Sequence, residues 1–141
     1  MPVTEAVKGL SAVQAATVPA KGFNSVWAVV NHIWHCQKVV LYKLQAKSDG
    51  RQDSSDETDW PPISDPMDEN AWLVSCERVN TVTQELAQVI AGLPQTALEQ
   101  PVESDSMPAW QLIHGAIAHN GYHACEIISI RHLLGLWMEN V

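Results

Sequence analysis

Residues 25–46 read SVWAVVNHIWHCQKVVLYKLQA, and the reading of this stretch decides the fold. Its valines favour a strand by local preference. Its length favours a helix: it runs about six helical turns without a glycine or proline, far beyond an ordinary strand. Val26, Val29, Val30, Ile33, Val40, Leu41 and Leu44 recur at helical spacing and form a broad apolar stripe. Asn24 and Ser25 stand before it, both good N-cap types. The stretch is therefore expected to be a long amphipathic helix.

Three further segments share its period. Residues 69–93 place Leu73, Val79, Val82, Leu86, Val89, Ile90 and Leu93 on one face, with Asp68 as N-cap and Pro94 as stop. Residues 107–139 follow Ser106, a capping type, and Pro108 is tolerated in a first turn. Residues 4–17 carry Val7, Leu10, Val13 and Ala16 and are closed by Pro19 and Gly22. The polar stretch 48–68, with Trp60-Pro61-Pro62 and Pro66, is long for a connection and is expected to be a solvated crossover, with a functional lid as the alternative. Residues 95–105 form a second connection. No segment alternates with the period of a strand, and no solenoid repeat is visible. The expectation is an all-α fold, a four-helix bundle with a long crossover loop, as one domain over residues 1–141.

Charge narrows the function. The 141 residues carry a net charge of -8. An acidic chain repels phosphate backbones and anionic lipid surfaces, which argues against general nucleic-acid binding and against a membrane partner. No apolar run reaches the length of a membrane span, and Met1-Pro2-Val3-Thr4-Glu5 does not open a signal peptide. The three cysteines, Cys36, Cys76 and Cys125, form no CxxC pair. They read as reduced thiols in a cytoplasmic protein, most simply as small apolar residues.

All six histidines fall in two helices: His32 and His35 in the second, His114, His119, His123 and His132 in the fourth. His119 and His123 lie about 40° apart on one helix face, a spacing that lets two imidazoles grip one ion. His114 and His132 point to roughly the opposite side. A third ligand must come from the other helix. His32 sits inside the apolar stripe and is preferred, with His35 in reserve. Three imidazoles with an open position suit zinc, nickel or a similar divalent ion, in the manner of a catalytic rather than a structural site. Glu126, three residues after His123, is expected to orient an imidazole, to serve as a fourth ligand, or to be exposed at the bundle edge. Tryptophans 27, 34, 72, 110 and 137 read as core or interface residues.

Two segments carry a family resemblance. Ser25-Val26-Trp27-Ala28-Val29-Val30-Asn31-His32 resembles the second helix of the DinB/YfiT-like metal-binding bundles. His119-Asn120-Gly121-Tyr122-His123-Ala124-Cys125-Glu126-Ile127 resembles their H-x-x-Y-H-x-G-[QE]-I signature. Trp60-Pro61-Pro62 and Ala71-Trp72 resemble the family's linker and third helix. The resemblance implies a four-helix bundle with metal ligands His32, His119 and His123, and a homodimer. It also implies a small-molecule substrate and, in some relatives, thiol-dependent transferase or isomerase activity with a low-molecular-weight thiol such as bacillithiol or mycothiol. Cys125 replaces the expected glycine, and its thiol should point away from the ion. Cys36 stands where an aromatic residue is common, one turn after His32.

Three functions follow as expectations. The first is a metal-dependent enzyme of thiol S-transferase, isomerase or hydrolase type. The second is a non-catalytic metal-binding or stress-response bundle. The third is a metal-free helical interaction module.

Overall fold

The computed structural model describes residues 1–45, 59–102 and 107–137. Within them the chain is helical: α1 Val3–Ala6, α2 Ala12–Ala16, α3 Val26–Leu44, α4 Glu69–Gly92, α5 Gln95–Leu98 and α6 Ala109–Leu133. The α3 helix packs against both α4 and α6, while α1 and α2 lie across the three long helices. Most of the expected crossover, residues 48–58, and the Ser106 cap lie outside the described residues.

Capping sets where the long helices start. The Ser25 hydroxyl accepts from the Ala28 amide at 3.2 Å, and the Asp68 carboxylate accepts from the Ala71 amide at 2.9 Å. Each satisfies one of the amides that a first turn leaves without a partner. The α6 helix starts at Ala109, two residues later than expected, because residues 101 and 108 pair as an isolated bridge. The Gln100 carbonyl accepts from the Ala109 amide at 3.0 Å and takes the place of a side-chain cap.

The single helix expected over residues 4–17 is two helices. Gly9 adopts a positive φ of 77°, which ends α1 and turns the chain before Ser11 opens α2 with a capping box to Gln14. The turn rotates the second half, so Val13 points outward while Ala12 and Ala15 are buried. The α4 core face is also rotated from the expected one. Trp72, Ser75, Val79, Val82 and Leu86 are buried, and Leu73, about 100° round from Trp72, is 57% exposed. The last helix ends at Leu133 rather than residue 139. Gly135, at φ 70°, forms a left-handed C-cap in which the Gly135 and Leu136 amides donate to the carbonyls of His132 and Arg131.

The core has two clusters along the length of α3. One gathers Val26, Trp27, Val29, Val30 and Ile33 with Trp72, Val79, Ile127, Ile130 and the N-terminal helices. The other gathers Val40, Leu41, Leu44, Val82, Leu86 and Ile113. Trp27 and Trp72 pack at 5.5 Å, and each buried indole N–H finds an acceptor: Trp27 on the Ser75 hydroxyl at 2.9 Å, Trp72 on the Leu10 carbonyl at 2.8 Å.

Arg131, only 5% exposed, fastens the N-terminal segment to this core. Its Nη1 donates to the carbonyls of Ala6 at 2.9 Å and Lys8 at 2.8 Å, and its Nε donates to Leu136 at 3.2 Å. The guanidinium thus serves carbonyls at the ends of both α1 and α6. Arg131→Met would keep the bulk and remove the donors, leaving buried carbonyls unpaired. Chemical denaturation is expected to show a loss of about 3 kcal/mol, with early amide exchange confined to residues 3–16. Unchanged stability would mean that the guanidinium does not anchor the N-terminus.

Candidate metal centre

The α3 and α6 helices bring three imidazoles together. The Nε2 atoms of His32 and His119 are 3.1 Å apart, and those of His123 and His119 are 3.2 Å apart. The three ligand atoms all lie within 4.8 Å of one another. His123 is buried, while His32 and His119 are half-buried at the same end of the α3–α6 seam.

The other ring nitrogens define the tautomers. His32 Nδ1 is 2.6 Å from the Asp59 carbonyl oxygen, which can only accept, so Nδ1 carries the hydrogen. His123 Nδ1 is 2.6 Å from a Glu126 carboxylate oxygen and donates to it in the same way. Both rings therefore turn Nε2 lone pairs toward His119. Burial first, then the neighbouring His123 and His32, holds the His119 imidazole below the ordinary histidine value, in the neutral state that a ligand requires. His119 Nε2 faces both lone pairs, an arrangement met either by an N–H on His119 donating to one of them or by a cation shared among the three. Two nitrogens on one ion, at about 2.1 Å each, stand about 3.0–3.4 Å apart for right-angle to tetrahedral geometry. The two separations to His119 fall within that range and the third pair lies within 4.8 Å, so the donor set could hold a divalent ion.

The loop before α4 closes over the site. Trp60 stacks on the His32 ring with centroids 4.1 Å apart and planes 4° from parallel. The Asp59 carboxylate lies 3.4 Å from His35 Nε2, and the Pro61 carbonyl accepts from the Asn31 amide group at 3.4 Å. Asp59 and Trp60 were not legible as site residues. Asp59 was expected in a solvated crossover, and its carboxylate is indeed mostly exposed, but its backbone carbonyl fixes His32. The one available signal was an aromatic residue set before two prolines in an otherwise polar stretch.

The remaining candidates separate cleanly. His35 is buried one turn away beside Asp59 and does not join the cluster. His132 packs against Trp137 at 4.4 Å, far round α6, and His114 is exposed. Glu126 is half-buried and accepts from His123 Nδ1, the contact expected of a residue that orients that ring. Cys125 is exposed, and burial, then Glu69, pushes the Cys76 thiol up to about 12, so Cys76 is inert at neutral pH. Burial, then the Asp59 charge, also raises the Cys36 thiol, in keeping with the inert reading, and its sulfur rests against the His32 ring, 3.7 Å from Nε2 and 3.8 Å from Nδ1. A cavity of about 480 Å³ opens beside the cluster between α3 and α6, with Cys36, Gln37, Val40, Leu112, His119 and Asn120 among its walls.

The His119 shift has a pH consequence. Its folded-state pKa lies below the unfolded value of 6.5, so below that pH the unfolded chain binds more protons. The metal-free protein should lose stability as pH falls from 6.5, and His119→Gln should flatten that part of the profile, read by thermal unfolding across pH. An identical slope in the variant would exclude the linkage.

No helix among the described residues is long and apolar enough to cross a membrane. The chain matches no curated protein and no solved structure. Residues 2–127 match the family model of the DinB superfamily, which spans α1 to most of α6 and all three clustered histidines. On that match the chain belongs to the DinB superfamily.

Proposed function

We propose that the chain, as one domain of four-helix-bundle type, binds a divalent metal ion, zinc or nickel, on His32, His119 and His123 and acts as a metal-dependent enzyme. The reaction class is transfer of, or attack by, a metal-activated thiol or water: a thiol S-transferase, isomerase or hydrolase. The observation that carries the reading is the paired orientation of the rings. Two Nδ1–H groups are held by Asp59 and Glu126 so that both Nε2 atoms face His119. Outer partners of this kind set ring tautomer and ligand basicity in metal sites.

A divalent ion at this position would supply Lewis acidity, lowering the pKa of water or of a low-molecular-weight thiol at its open position. The chain's own residues do the rest. Glu126 holds the proton on His123 Nδ1. Trp60 covers one face of His32 and limits water there. The adjoining cavity, walled by Val40 and Leu112 with Gln37 and Asn120 as polar groups, is sized for a small, largely apolar substrate. The acidic surface and the reduced thiols fit a cytoplasmic setting.

Elemental analysis of untagged protein, purified without chelators, tests the metal. About one ion per chain is expected, lost in His32→Ala, His119→Ala and His123→Ala, while Glu126→Ala weakens affinity by about 10–100-fold. No metal after incubation with zinc or nickel would leave a helical interaction module. Bound metal that raises the melting temperature but exchanges neither water nor thiol would leave a non-catalytic metal-binding or stress-response bundle.

A homodimer completes the proposal. From Ala109 to Cys125 the α6 helix has no charged residue, yet Trp110, Ile117, Ala118 and Gly121 are exposed, Ile117 by 65%. A face of this length without acidic or basic side chains, with Gln111 and His114 as its exposed polar groups, fits a self-association surface. Light scattering should give twice the chain mass for the wild type and a folded monomer for Ile117→Lys; a wild-type monomer would refute the dimer.

A further inference from the structure

We propose that Gln37 selects what the cavity between α3 and α6 accepts: its amide oxygen takes a hydrogen bond from an uncharged, largely apolar molecule that carries a hydroxyl or amide N–H. The inference rests on the reading of that cavity as the substrate site, and the ion plays no part in it.

Gln37 is a polar residue in an apolar place. Ile33 and Leu41 stand one turn before and one turn after it on the same face of α3, and all three are buried. A leucine there would add to the core, whereas a buried amide costs stability unless its atoms are paired. One end of the amide is paired: its oxygen, as placed, is 2.7 Å from Thr83 Oγ1. The other end makes no hydrogen bond among the described residues, yet it is not sealed in the core. Gln37 is only 2% exposed, so the open space that this end reaches is the cavity that Gln37 walls.

Thr83 decides which end faces inward. Its Oγ1 is also 2.6 Å from the Val79 carbonyl oxygen, which can only accept. The hydroxyl has one proton, and the carbonyl takes it. The Gln37 amide must therefore donate to Thr83 rather than accept from it, and a half-turn about χ3 exchanges its oxygen and nitrogen to do so. The nitrogen then rests on Thr83, and the oxygen faces the cavity as an acceptor.

The other walls set the rest of the ligand. Val40, Leu112 and Ala116 are apolar, and apart from histidine no described wall residue is acidic or basic. A charged ligand would lose its hydration there without a counter-charge, so the ligand is neutral. The volume of about 480 Å³ admits a molecule of the size of a naphthalene. Its apolar body lies against the aliphatic walls, and its one donor meets Gln37.

The probes are 2-naphthol and 2-methylnaphthalene, which have nearly the same shape and differ in the donor. Each is titrated into the wild type, Gln37→Met and Thr83→Val, with and without a chelator, and binding is followed by NMR shifts of the residues that wall the cavity. A cavity that offers no acceptor favours the methyl compound, because burying an unpaired hydroxyl is costly. The expected result is a preference of about tenfold for 2-naphthol in the wild type, unchanged by the chelator and reversed in Gln37→Met. Thr83→Val frees the amide to turn, so the preference should shrink there. A preference that survives in Gln37→Met or, should that variant fail to fold, survives undiminished in Thr83→Val overturns the role of Gln37. Equal binding in the wild type, or a preference for the methyl compound, overturns it too and leaves the cavity standing as a substrate site. A preference that the chelator abolishes gives the hydroxyl to the ion and again overturns it. Binding of neither compound overturns the substrate reading of the cavity and this inference with it.

Discussion

Facing imidazole nitrogens on two helices leave little freedom in how those helices meet. The α6 helix must be rotated so that His119 and His123 look toward α3, and shifted so that their level matches His32. The contacts that enforce this are apolar and lie one to three turns away: Ile127 and Ile130 bury against the cluster that contains Val29, Val30 and Ile33. The polar site is therefore positioned by a dry core beside it rather than by its own hydrogen bonds. Close packing transmits that position, because well-packed side chains do not slide by small amounts.

The two sides of α6 answer to different demands. Its inner side supplies Ile113, Ala124, Ile127 and Ile130 to the core and His119 and His123 to the cluster. Its outer side over the first four turns carries no acidic or basic chain, mixing exposed Trp110, Ile117 and Tyr122 with Gln111 and His114. The loop at Asp59 and Trp60 meets yet another demand, fixing one ring by a carbonyl and covering it with an indole. Site, core and outer face thus occupy neighbouring registers of the same helix.

What could be read in the sequence was what local physics controls. The i, i+4 spacing of His119 and His123, the His32 position within an apolar stripe, and the capping side chains of Ser25 and Asp68 are properties of single helices. The break at Gly9 was less visible, since one glycine inside a short apolar period is compatible with a continuous helix. Leu73 was assigned to the wrong side because Trp72, its neighbour, takes the buried position and turns the helix accordingly. Asp59 and Trp60 act across 27 or 28 positions of sequence on His32, contacts that only tertiary packing supplies.

The grip of Arg131 on the carbonyls of Ala6 and Lys8 spans separations of 125 and 123 residues. On a ribosome, the N-terminal segment emerges long before its donor has been made. Its short helices, too brief to persist alone, must wait for the last turns of α6 before their buried carbonyls are satisfied. Completion of this part of the fold thus waits until Arg131 has been made. The entropy of closing so long a loop falls on the final step and makes assembly all-or-none rather than helix by helix.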